Sequence, residues 1–162
     1  MLDISFDNGR NFSLPVVALR YFTVYGPRQR PDMAFTRFCR ALLRGEPVAV
    51  FGDGSQSRDF TFVADAVEAS WRAWRAPRAS GTYNVGGGSQ VELRQAIAIL
   101  GLALGVKPDL RFEPRPPGDP PRTCADATRL EADLGFRPTV GIETGLAAQA
   151  TWARGLYAQE RA

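Results

Sequence analysis

Residues 14–33 read Leu14-Pro15-Val16-Val17-Ala18-Leu19-Arg20-Tyr21-Phe22-Thr23-Val24-Tyr25-Gly26-Pro27-Arg28-Gln29-Arg30-Pro31-Asp32-Met33. The first eight form a short, β-branched, almost unbroken apolar run, the pattern of a strand buried on both faces of a parallel sheet. Such a strand needs neighbours on both sides. Gly26-Pro27 then turns the chain. Pro31-Asp32 opens a new period, with Phe35, Phe38 and Leu42 at i, i+3, i+7 and arginines on the other face, which predicts an amphipathic helix ended by Gly45.

The same alternation continues outward. Pro47 to Phe51 reads as a strand running into a flexible loop, Gly52-Asp53-Gly54-Ser55. Phe60 to Val63 is extended, Asp65 stands at a helix start, and Val67, Trp71 and Trp74 recur at i, i+4, i+7 until Pro77. Phe35, Phe38, Trp71 and Trp74 are therefore expected in the core and not in an aromatic cage. Thr82 to Val85 is a second strand, ending in Gly86-Gly87-Gly88. Leu93, Ile97, Leu100 and Leu104 mark a helix closed by Gly105 and Pro108. Leu110 to Glu113 fits another strand, and Pro114 to Pro121 is too rich in proline for anything but loop. Thr128 and Glu131 have capping-box spacing at the head of a short helix stopped by Gly135, and a final helix starts near Ile142. There is no internal repeat and no linker.

Composition sets bounds on function. A chain of 162 residues, 44% hydrophobic and 23% charged, is sized for one globular domain with a real core. Its formal charge of +3 is spread along the chain, which suits an anionic small ligand at least as well as nucleic acid. Nearly all the positive charge is arginine, whose planar fork grips phosphate and carboxylate in two-pronged contacts; Lys107 is the only lysine. The absence of histidine excludes Ser-His-Asp, Cys-His and His-ligated metal chemistry. Cys39 and Cys124 sit in unrelated contexts and give no disulfide framework. With no long apolar run and no signal-peptide layout, the expectation is a soluble cytoplasmic protein without membrane or nucleic-acid partners.

Five motifs in order resemble the NDP-sugar epimerases and dehydratases, NAD-dependent enzymes of the extended short-chain dehydrogenase type. They are Leu19 to Met33, Gly52-Asp53-Gly54 with Arg58-Asp59-Phe60, Tyr83-Asn84-Val85-Gly86-Gly87-Gly88, Pro117-Gly118-Asp119 with Ala125-Asp126, and Leu134-Gly135-Phe136-Arg137-Pro138. The resemblance runs from about Leu14 to Trp152. It implies an α/β chain corresponding to the C-terminal, substrate-binding portion of an extended Rossmann-type epimerase, with residues 14–162 binding a nucleotide sugar and a divergent segment at 1–13.

Thr at position 23, followed by Arg30-Pro31-Asp32-Met33, is most similar to the UDP-glucuronate 4-epimerases. This implies that Thr23 and Arg30 lie near the sugar, where a hydroxyl and a guanidinium can hold its carboxylate. Taken without the resemblance, Thr23 is a β-branched strand end and Arg30 a solvated loop charge. The resemblance likewise implies that Arg58, just beyond a Gly-rich loop, grips the diphosphate, and that Asp119 accepts from ribose hydroxyls. The family's arginine stands three residues before that Asp. Here Pro116 stands there and Arg115 one place earlier, so the phosphate role of Arg115 departs from the pattern; Asp119 is equally readable as a turn residue. Gly86-Gly87-Gly88 lacks the spacing of a phosphate loop and is expected to be a structural turn, and Asp126 a helix cap.

The family's chemistry is a reversible C4 epimerisation through a 4-keto sugar. It needs a strand followed by a Gly-rich turn for NAD pyrophosphate, and a Tyr-x-x-x-Lys pair. Neither occurs in this sequence: the residue four before Lys107 is Ala103. No catalytic residue, no metal ligand and no cofactor held by this chain alone is therefore expected. Met1 to Ser13 does not resemble the helix end that precedes this strand in the family, which points to an independent start or a truncated gene. Exposed strand edges would then favour a homodimer or docking on a separate NAD-binding chain. The alternatives are a non-catalytic dimerising module and an epimerase remnant recruited to another biosynthetic activity.

Overall fold

A computed structural model describes residue 11 and residues 16–76 and 79–158. The segment 1–13 lies outside the described residues except for Asn11, as do Leu14 and Pro15 of the opening apolar run. The strands are β1 (Val17–Tyr21), β2 (Val24–Tyr25), β3 (Val48–Phe51), β4 (Ser57–Phe62), β5 (Gly81–Val85), β6 (Ser89–Glu92) and β7 (Leu110–Glu113). The helices are α1 (Ala34–Arg44), α2 (Val63–Arg75), α3 (Leu93–Leu104), α4 (Thr128–Leu134) and α5 (Ile142–Ala158).

Among the described residues, three small sheets organise the chain. β1 pairs in parallel with β5, from Val17 opposite Gly81 to Tyr21 opposite Val85. β4 stands between β2, parallel to it, and β6, antiparallel. β3 and β7 form the third sheet in parallel. The larger core gathers Tyr25, Phe35, Phe60, Ile97, Leu100 and Leu146 among α1, α3, α5 and the β2–β4–β6 sheet. A smaller core under α2 and α4 holds Ala69, Tyr83, Val85, Leu130 and Phe136.

β1 departs from a strand covered on all sides. Only Ala18 is buried, Tyr21 is 47% exposed, and among the described residues β5 is its only partner. The apolar run predicts a central strand; among the described residues this one has a strand neighbour on one side only.

Phe35 and Phe38 are core as expected, but Trp71 and Trp74 are not: they are 50% and 75% exposed. Their spacing does place them on one helix face together with Val67, which is 63% exposed. The face that α2 buries instead carries Asp65, Ala66, Ala69 and Ala73, whose small side chains let the helix lie close on the sheet. The two indoles pack on each other at 5.0 Å, with the Arg75 guanidinium 5.5 Å above Trp71. Trp74→Ser should accordingly change unfolding free energy by no more than about 0.5 kcal/mol in urea, whereas loss of a core tryptophan costs about 3–5 kcal/mol.

Local chemistry accounts for most element ends. Gly45, Gly105 and Gly135 close α1, α3 and α4 in the left-handed conformation. The capping-box spacing of Thr128 and Glu131 is not used: α4 begins at Thr128 after Ala127, and the Asp126 carboxylate accepts the Thr128 N–H at 3.0 Å. Asp65 lies in the first turn of a helix that starts at Val63. Its buried carboxylate accepts the Val140 N–H at 3.0 Å and the Thr139 hydroxyl at 3.4 Å, tying α2 to the segment before α5.

Candidate functional site

β4 carries the charged centre. The Arg58 side chain, 17% exposed, donates from Nη1 to the Ser57 carbonyl at 2.9 Å, and its Nη2 pairs with Asp119 Oδ1. Arg115 Nε stands 3.7 Å from Asp119 Oδ2, so one carboxylate lies between two guanidiniums. Arg58 and Asp119 are 61 residues apart in sequence. What joins them is backbone pairing at Ser57: its N–H donates to the Pro121 carbonyl at 3.0 Å, and its carbonyl accepts the Thr123 N–H at 3.1 Å. The proline-rich loop is thereby laced to the start of β4.

The glycine-rich loop takes part less directly than its composition suggests. The Arg115 stem lies 3.7 to 3.9 Å from where a Gly52 side chain would begin, so Gly52, at φ 68°, gives Arg115 its path to Asp119. The space above Gly54 is filled by the Arg94 stem and is not open to a ligand. Asp53 accepts the Ser55 N–H and hydroxyl at 3.0 and 2.6 Å; these bonds close the turn and hold its carboxyl below the usual carboxylate range.

Asp59, one residue from Arg58, is 1% exposed and accepts three backbone-derived contacts: the Gly87 N–H at 2.8 and 2.9 Å and the Ala125 N–H at 2.8 Å. This carboxylate binds the Gly86–Gly88 turn and the 123–127 segment to β4. It also settles the role of the glycines. The Gly87 N–H is already used, and a side chain at Gly86 would meet Ala125 Cβ at 2.5 Å and Phe22 Cβ at 3.0 Å. The turn is a packing joint, as its spacing predicts.

Thr23 lies between β1 and β2, and Arg30 on the turn that follows β2. Thr23 is half-buried, and its carbonyl accepts the Thr61 N–H at 3.2 Å. Thr61 is three residues from Arg58 on β4, so Thr23 joins that strand about 10 Å from Arg58. Arg30 lines an open groove of about 330 Å³ formed by Val24 to Arg30, Met33 and Val63; Thr23 is not among its lining residues. The Arg30 fork is engaged by Asp32, with Nε to Oδ1 at 3.0 Å and Nη2 to Oδ2 at 2.6 Å, and the pair is largely exposed. Arg30 holds the Asp32 carboxyl below its ordinary range.

The same turn is anchored by residues that the sequence motifs did not flag. Gln149 of α5, fully buried, accepts the Gly26 N–H at 3.0 Å and donates to Gln29 Oε1 at 3.0 Å, with Thr36 completing the cluster. A glutamine in phase with Ile142, Leu146 and Ala153 on the apolar face of a helix was the available signal; for Asp59 it was a carboxylate inside a strand. Tyr25 beside them is a packing group. Burial, reinforced by the Asp65 and Glu143 carboxylates, pushes its phenol well above the ordinary value and keeps it neutral. Among the described residues no group of three or more Cys, Asp or Glu could hold a metal ion, and no helix is long and apolar enough to cross a membrane.

The described residues thus form an α/β chain with an arginine–aspartate–arginine cluster beside the middle strand of the β2–β4–β6 sheet. The profile of the NAD dependent epimerase/dehydratase family matches residues 5–86, and the chain belongs to that family. It is 36% identical over 160 residues to a probable UDP-glucuronate 4-epimerase of Rhizobium meliloti, covering 87% of this chain and 47% of the relative. An uncharacterized UDP-glucose epimerase of Bacillus subtilis is 37% identical over 152 residues, covering 93% and 48%. The structure superimposes on UDP-glucuronic acid 4-epimerase from Bacillus cereus, solved with UDP-glucuronic acid and NAD, with a TM-score of 0.92 at 37% identity, over 96% of this chain and 50% of that one. The chain thus spans about half the length of the relatives it matches.

Proposed function

We propose that this chain is the nucleotide-sugar-binding, C-terminal portion of a UDP-sugar 4-epimerase, with a uronate as its sugar. The observation that carries the reading is the convergence of Arg58, Arg115 and Asp119 from distant parts of the sequence. Two guanidiniums around one carboxylate form a ready exchange site. A diphosphate can take over both forks, freeing Asp119 to accept from ribose hydroxyls. Thr23 and Arg30 would face the sugar, and the Arg30 fork that now holds the Asp32 carboxylate fits a sugar carboxylate equally well. The Bacillus cereus enzyme was solved with UDP-glucuronic acid, and the likeness to it supports this substrate class.

Hydride and proton transfer would belong to a dinucleotide-binding half. The edge of β1 away from β5 is where such a half would add its strand. This chain's own share is to bind and orient the nucleotide sugar. Unbridged thiols at Cys39 and Cys124 suit a cytoplasmic setting. Neither a purely dimerising module nor a recruited remnant has an observation of its own in its favour.

Isothermal titration with UDP, UDP-glucuronate and NAD tests the assignment. UDP and UDP-glucuronate should each give saturable heat and NAD none. The absence of heat with either uridine nucleotide at millimolar concentration would overturn it.

A further inference from the structure

The geometry points to Gln149, a buried residue of the C-terminal helix outside the arginine cluster, as the positioning residue that sets the Gly26–Arg30 turn and thereby the preference for a uronate over a neutral hexose. The inference rests on the nucleotide-sugar reading above and concerns one end of that site. One side chain holds both ends of the turn: Oε1 accepts the Gly26 N–H at 3.0 Å and Nε2 donates to Gln29 Oε1 at 3.0 Å. Gln29 passes the constraint on, donating to the Val24 carbonyl at 3.1 Å and accepting the Thr36 N–H at 3.2 Å. Gln149 and Thr36 are 0% and 1% exposed, and among the described residues no buried side-chain polar atom lacks a partner. A buried polar network satisfied in this way fixes one arrangement, because any shift leaves donors unmet in a low-dielectric interior.

The turn needs that support. Arg28, between the two anchored residues, has φ 66°, the sole positive φ outside glycine among the described residues. Such a conformation persists only where its surroundings hold it. One helical turn before Gln149, Gly145 seats Tyr25 so closely that a Cβ there would lie 2.6 Å from Tyr25 Cζ. The two α5 positions together lock residues 25–29, and Arg30 follows directly. Two-pronged contact between guanidinium and carboxylate tolerates little misplacement, so the backbone under Arg30 governs it. None of these residues contacts Arg58, Arg115 or Asp119 through a described hydrogen bond or ion pair, so the diphosphate grip should be separable.

The test compares the full chain with its Gln149→Leu and Gln29→Met variants, titrated with UDP, UDP-glucose and UDP-glucuronate after circular dichroism confirms folding. Gln29→Met breaks the same link at its half-buried end and serves if Gln149→Leu does not fold. The expected result is UDP affinity within twofold of wild type and at least a fivefold drop in the ratio of UDP-glucuronate to UDP-glucose affinity. A folded variant that keeps the wild-type ratio overturns the role of Gln149, as does a parallel loss for all three ligands. Wild-type protein with no preference for UDP-glucuronate would instead overturn the uronate reading itself.

Discussion

Replacing Gly145 by alanine is expected to destabilise the protein by about 1–3 kcal/mol, the range for overpacking a filled core. Helix propensity alone gives the opposite sign, since alanine is favoured over glycine in a helix interior by about 1 kcal/mol. Sterics decide because a Cβ at Gly145 would lie 2.6 Å from Tyr25 Cζ and 2.7 Å from Cε2, and closer still to the hydroxyl. The ring has nowhere to retreat. Tyr25 is 1% exposed and packed edge-on against Phe35, Phe60 and Phe62 at centroid distances of 5.6, 6.1 and 5.6 Å. The measurement is the free energy of unfolding in urea for Gly145→Ala alone and together with Tyr25→Phe. Removing the hydroxyl should recover part of the loss, a coupling expected only of residues in contact. Unchanged or increased stability in the single variant would mean that α5 and Tyr25 do not pack in this way.

The second large effect concerns binding. Arg58→Ala should weaken UDP affinity by roughly 10- to 100-fold, the equivalent of losing charge-assisted hydrogen bonds of about 1.5–3 kcal/mol. Arg58→Lys should recover only part, because an ammonium keeps the charge without the planar fork. Stability should change less than affinity: the removed ion pair is partly solvated, and Asp119 retains Arg115 at 3.7 Å. Titration calorimetry with UDP reads the affinity, and urea unfolding the stability. Wild-type affinity in a folded Arg58→Ala variant would remove this cluster from the binding site.

Much of the fold was legible because it is encoded locally. The strands at 48–51 and 110–113 and the helix from Ile142 follow from short apolar runs and 3.6-residue periodicity, and Gly45, Gly105 and Gly135 mark helix ends by their freedom at positive φ. β6 was missed because Ser89–Glu92 has one buried residue, Val91, and forms through its partner β4. Trp71 and Trp74 show a different limit: periodicity groups residues on one face, but whether that face points inward depends on what packs there. The small side chains of Ala66, Ala69 and Ala73 won the contact with the sheet. At the site, Arg58 stood out by its motif, whereas Asp59 and Gln149 act through partners 28 to 123 residues away, beyond the reach of any local pattern.

The opening stretch, residues 14–33, illustrates the division. By itself the sequence determined a strand, a Gly-Pro turn and an amphipathic helix there, because these depend on neighbouring residues and backbone sterics. It also determined the family resemblance, carried by the order of motifs. Only the tertiary structure decided that Arg115 reaches Asp119 despite its displaced position and that the turn bearing Arg30 is held by Gln149 from the far end of the chain. Those outcomes depend on contacts between residues distant in sequence, where packing and hydrogen-bond satisfaction select among arrangements that local preferences leave equally open.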